Sequence, residues 1–155
     1  MERTVAIVDT EELQRQHRVI VILATHLRGC ADRVQTREDA CEAYCGIIRL
    51  DQMLVRHLQY EDEHLYPALM ACDDVAVAAL AADCAEEMGG INGAWAAYRS
   101  QWTAEAIHAA PDRFALATAG VIGALAMRVE RENSELYPAA QALPLTQLAD
   151  SCAAE

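Results

Sequence analysis

A short motif occurs twice in this chain, and its recurrence restricts the fold more than any other feature. His57-Leu-Gln-Tyr-Glu61-Asp-Glu-His-Leu-Tyr-Pro67 is echoed by Arg128-Val-Glu-Arg-Glu132-Asn-Ser-Glu-Leu-Tyr-Pro138, with Glu61, Leu65, Tyr66, Pro67 and Ala68 recurring in register. Apolar residues at helical spacing lead into each copy: Ile47, Ile48, Leu50, Leu54 and Leu58 before the first, Val121, Ile122, Leu125 and Val129 before the second. Each copy closes on a proline, which bends or stops a helix within about a turn. Two such helices are expected to be related by pseudo-twofold symmetry within a helical bundle.

Two further helices complete the pattern. The first begins near Asp9 and Thr10, where Asp9 and Glu12 have the spacing of a capping box, and it ends near Gly29 and Cys30. The helix of the first motif starts at Thr36. A third helix is expected from Asp73 or Asp74 to about His108, and the helix of the second motif opens at Pro111. Hydrophobic residues make up 54% of the chain but aromatics only 5%, so the apolar content is helix-forming Ala and Leu rather than strand-forming side chains. The fold class is therefore all-α, an up-down antiparallel four-helix bundle, because short connections favour antiparallel neighbours. One domain over residues 1–155 is expected, with its core at about 10–142 and a short tail after Pro144. Trp95, Tyr98 and Trp102 share one face of the third helix and read as core. Gly89, Gly90 and Gly93 in the same helix mark either a close crossing or a kink, and their spacing also suits a homodimer seam.

Charge narrows the partners. Asp and Glu number 24 against 12 Lys and Arg, a formal net charge of −12. A surface this acidic repels phosphate backbones and anionic headgroups, so neither nucleic acid nor membrane is an expected partner. The least polar stretch, Ala115 to Met127, is too short to span a bilayer. No basic segment followed by a long apolar one opens the chain, so a cytoplasmic location is expected. The six cysteines form no CxxC pair and read as reduced, small apolar residues.

The candidate chemistry lies on the bundle's interior faces. His57 and Glu61 are four residues apart, about 40° around a helix, and so face one spot. Glu132 brings a second carboxylate from the other motif, and His17 a second imidazole from the apolar face of the first helix. An imidazole and carboxylates from facing helices are how bundle proteins assemble metal sites. His64 and its counterpart Glu135 read as residues near the bundle end rather than a pair. His26 lies on the outer side of the first helix, and His108 is a partner for a helix C-terminus.

These residues carry a resemblance. Glu11-Glu12-Leu13-Gln14-Arg15-Gln16-His17-Arg18 resembles the first-helix histidine motif of the hemerythrin-like (HHE cation-binding) family. His57-x-x-x-Glu61 followed by Leu-Tyr-Pro resembles its second-helix motif, and Glu132 followed by Leu-Tyr-Pro its fourth. The resemblance covers roughly residues 10 to 142. It implies a centre of two non-heme irons, bridged by one carboxylate from the second helix and one from the fourth, with O2 or NO binding, sensing or iron handling. Carried over, His17 and His57 would be ligands of one iron, with Glu61 and Glu132 as bridging carboxylates.

The chain departs from that pattern in two places. Arg128 stands where the fourth helix should offer a histidine, and no histidine occurs between His64 and His108. Glu86, Glu87, Cys84 and Met88 are the third-helix alternatives. A guanidinium stays protonated and cannot ligate a metal. Arg128 is expected to fork onto Glu61 or Glu132 and fill part of the second-metal volume. Two readings follow: one metal ion, iron or alternatively zinc, on His17, His57, Glu61 and Glu132, or a metal-free regulatory or structural bundle in which Arg128 replaces the metal. A ferritin-like oxidase needs Glu-x-x-His, which is not the order here. With no nucleophile–base arrangement and no phosphate loop, an enzyme is not expected.

Overall fold

The computed structural model of the chain describes residues 8–143, and every regular element among them is helical. Helix α1 spans Thr10–Ala31 and α2 spans Arg37–Tyr60. One π-helical turn, Glu61–Leu65, joins α2 to α3 at Tyr66–Met70. Helix α4 spans Val75–Gln101, α5 Ala104–Ala109 and α6 Pro111–Arg131. A second π-helical turn, Glu132–Leu136, joins α6 to α7 at Tyr137–Ala142.

Local chemistry sets most of the boundaries. Asp9 caps α1 by accepting from the Glu12 N–H at 3.1 Å, but Glu12 turns its carboxylate to Arg15, so the box stays half-made. Thr36 and Asp39 close a full capping box on α2, with bonds of 3.1 and 2.9 Å. Asp74 caps α4, and Pro111 opens α6 at its first turn.

The third helix differs from the sequence expectation. It ends at Gln101 instead of running to His108, because the Thr103 hydroxyl accepts from the Ala106 N–H at 3.2 Å and starts a new helix, α5. At the break Trp102 turns inward and packs edge-on against Phe114 at a centroid distance of 5.3 Å. The described residues thus form five helical segments rather than four. The short fifth packs on α2.

Neighbouring long segments meet in opposite directions. Along α1 and α2, Leu27 faces Gly46 near one end and Gln16 meets His57 toward the other. Along α1 and the last segment, Thr10 meets Gln141 and His17 meets Asn133. Along α4 and α6, Glu87 meets Arg128 while Tyr98 meets Thr118. The core between them is built from Leu13, Ile20 and Leu27, Ile47, Leu50 and Leu54, Met88, and Phe114 and Leu125.

The aromatic stripe is core: Trp95, Tyr98 and Trp102 are all buried, and the Trp95 indole donates to Asp51 at 2.9 Å. Gly89, Gly90 and Gly93 lie within continuous α4, none has a positive φ, and a Cβ on any of them would meet nothing within 4 Å. They therefore serve no close crossing in this chain. The cysteine reading holds in part. Cys30, Cys72 and Cys84 are buried small residues, whereas Cys41 and Cys45 are exposed thiols on one face of α2. Cys152 and the tail after Pro144 lie outside the described residues. No described helix is long and apolar enough to cross a membrane.

Candidate metal centre

The repeated motif produces the repeated π-turn. Proline has no N–H and its ring crowds the carbonyl four residues back, so the ladder ahead of Pro67 and Pro138 must give way. It does so by one extra residue: the Tyr66 N–H bonds to the Glu61 carbonyl, and the Tyr137 N–H to that of Glu132. The consequence is geometric. In an α-helix a residue five on from the glutamate points about 140° away from it. The widened turn brings it back, and Tyr66 and Tyr137 are buried alongside Glu61 and Glu132.

The tyrosines then cross over. Tyr137 of the second motif donates to Glu61 of the first at 2.5 Å, and Tyr66 of the first donates to Glu132 of the second at 2.9 Å. The pseudo-symmetry expected from the sequence is thus expressed as a reciprocal pair of phenol–carboxylate bonds.

His17, His57, Glu61 and Glu132 each aim one ligand atom at a common point, and these four atoms lie within 4.8 Å of one another. All four residues are at most 2% exposed. His57 Nε2 is 3.0 Å from Glu61 Oε1, and His17 Nε2 is 3.6 Å from Glu132 Oε1. The outer nitrogens are occupied: His17 Nδ1 meets Asn133 Oδ1, and His57 Nδ1 meets Gln16 Oε1, each at 2.8 Å. An amide oxygen only accepts, so each Nδ1 carries the proton and each Nε2 presents its lone pair inward. This outer support orients metal-binding histidines in general.

Burial, and the neighbouring His17, push His57 down to about 4, so it is neutral at neutral pH. Burial and the facing Glu132 push the Glu61 carboxyl well above its ordinary range. Burial would raise Glu132 too, but the polar groups around it and the Arg128 charge together hold it below its ordinary value. His57 Nε2 and Glu61 Oε2 remain buried with no hydrogen-bond partner. Two buried, inward lone-pair atoms without a protein partner are what a cation would complete, so the donor set fits a metal.

Arg128 is placed differently from the fork onto Glu61 or Glu132 that the sequence suggests. Its NH1 donates to Glu87 at 2.9 Å and its NH2 to the Tyr66 hydroxyl at 2.8 Å. Toward the cluster only Nε approaches, 3.7 Å from Glu132, and it makes no hydrogen bond. The reason lies on α4: Glu87 reaches inward to the guanidinium, and the phenol of Tyr66 stands between Arg128 and Glu132.

The other candidates fall away from the cluster. Glu86 is exposed, Cys84 and Met88 are buried, and none of the α4 residues joins the four ligand atoms. His64 is exposed beside Glu63 and packs tilted against Tyr60, while Glu135 pairs with Arg131, so the two do not meet. His26 and His108 are exposed. Sequence reasoning did not assign parts to Tyr66, Tyr137, Gln16 and Asn133. The tyrosines were signalled by their recurrence in the motif; the amides carried no signal beyond adjacency to a ligand.

The comparisons with known proteins return one finding. A family model described as the hemerythrin HHE cation binding domain matches residues 8–140. No curated protein and no solved structure matches significantly.

Proposed function

The chain belongs to the hemerythrin HHE cation-binding family, and from that premise we propose that it holds one metal ion, iron, on His17, His57, Glu61 and Glu132. The observation that carries the reading is the orphaned pair His57 Nε2 and Glu61 Oε2, buried beside two imidazoles whose tautomer already turns a lone pair inward. Histidine nitrogen with carboxylate suits iron and admits zinc or manganese. Iron, when bound, supplies reversible redox chemistry and affinity for O2 or NO.

One ion rather than two follows from Arg128. Its side chain is 1% exposed and sits where the motif's symmetry would put a second imidazole. Its charge is met by Glu87 and its second terminal nitrogen by Tyr66, so Glu61 and Glu132 stay available to a cation. A divalent ion beside one guanidinium is then balanced by three carboxylates, Glu61, Glu132 and Glu87.

The antiparallel pairs described above support an up-down four-helix bundle with α5 as an addition between its third and fourth members. A groove between α1 and α6, lined by Val21, Ile22 and Val129, reaches His17, and its apolar walls suit a small neutral molecule such as O2 or NO. The role is binding, sensing or iron handling in the cytoplasm, not catalysis, and it is compatible with a homodimer.

Elemental analysis of tag-free protein, reconstituted anaerobically with ferrous iron and desalted, tests the proposal. About one iron per chain is expected, and a His57→Ala variant should retain almost none. No metal in the reconstituted parent would overturn it and leave a metal-free bundle with Arg128 as its resident cation.

A further inference from the structure

On the outer side of Arg128, away from the metal ligands, α4 and α6 enclose an open groove of about 520 Å³. Ile91, Ala124 and Met127 line it, and Arg128, Arg131 and Glu87 close one end. There the Glu87 carboxylate is held between two guanidiniums, Oε2 at 2.9 Å from Arg128 NH1 and Oε1 at 2.6 Å from Arg131 NH1. The two arginines are fixed independently of it. Arg128 is buried and anchored on Tyr66, and Arg131 is tied to Glu135 at 3.0 Å. Glu87 itself is on a side chain 54% exposed.

The arrangement that grips a carboxylate is therefore built into the fold, while its present occupant is a surface side chain free to leave. We propose that this groove binds a small organic carboxylate with a short apolar tail, which takes the Arg128–Arg131 fork in place of Glu87. Paired guanidinium N–H groups are the preferred partners of a carboxylate. A groove of this size with apolar walls and few convergent polar groups has the character of a small-molecule site. Met127 is 76% exposed, so a tail lying across it and Ile91 removes apolar surface from water. Displacing Glu87 exchanges one carboxylate for another, so the buried Arg128 charge stays paired throughout. The site does not depend on whether metal is bound.

Octanoate is the probe, with octan-1-ol as the uncharged control, titrated into the full chain by calorimetry or by NMR. Saturable octanoate binding is expected, with octanol weaker by about tenfold or more. Arg131→Gln should weaken octanoate by about tenfold, and Glu87→Gln should tighten it several-fold by removing the competing carboxylate. Circular dichroism establishes that both surface variants keep the parent's helicity. Equal binding of octanol and octanoate, an Arg131→Gln affinity equal to the parent's, or no saturable binding in either the parent or Glu87→Gln would each overturn the proposal.

Discussion

His17 and His57 are held alike although they come from different helices: an amide oxygen fixes each Nδ1, and the ring then has one orientation with Nε2 turned inward. Replacing such a partner leaves the ligand in place but lets the ring turn and change tautomer, which typically costs 10–100-fold in metal affinity. Gln16 is the better test of the two, because it is only half-buried on α1 and tolerates an apolar side chain. Gln16→Leu should bind iron roughly 10–100-fold more weakly with unchanged helicity, measured by competition with a chelator. Affinity equal to the parent's would mean that the packing of His57 alone orients it. The four cluster residues were legible in the sequence because each sits in the repeat or on an apolar helical face. Gln16 and Asn133 were not: they are polar neighbours among many, and only the folded backbone decides which of them turns inward.

At the scale of the element, helix starts were the most legible feature, since caps are local chemistry. Thr36 with Asp39, Asp74 and Pro111 mark their helices by residue type alone. The break at Trp102 was legible only in its Thr103 cap, since neither Gly nor Pro marks it and burial of the indole against Phe114 is a tertiary event. The π-turns were half-legible: the prolines announce a disturbance, but only the ladder shows that an inserted residue absorbs it. The Asp39 cap carries a pH signature. Its carboxylate accepts from the Gln35 and Thr36 N–H groups, which hold it below the ordinary aspartate value. A depressed carboxylate contributes stability that is fully present above its unfolded value and is lost as pH falls through its folded value. Asp39→Asn should therefore be less stable than the parent at neutral pH. The gap should narrow as pH drops below the ordinary carboxylate range, read as urea midpoints across a pH series. A gap that stays constant with pH would show that the carboxylate's charge contributes nothing to the cap.

At the scale of the whole molecule, the sequence repeat and the crossed Tyr–Glu bonds are one fact, and Arg128 is where the symmetry is broken. The first copy has His57 at that position and the second has a guanidinium that ties three segments together: its own, α3 through Tyr66, and α4 through Glu87. Restoring the symmetry with Arg128→His removes those bonds and leaves the Tyr66 hydroxyl without the donor that orients it. The loss of such a buried, charged hydrogen bond should lower the stability of the metal-free protein by about 1–3 kcal/mol, read from denaturant unfolding. Restoring one imidazole should not create a second metal site. The cluster draws on α1, α2 and α6 with their π-turns, and α4 adds no ligand atom to it. The variant should thus still hold about one iron per chain by elemental analysis after ferrous reconstitution. About two per chain would show instead that Arg128 alone had closed the second site, and that α4 supplies a ligand, with Glu87 the residue released to do so.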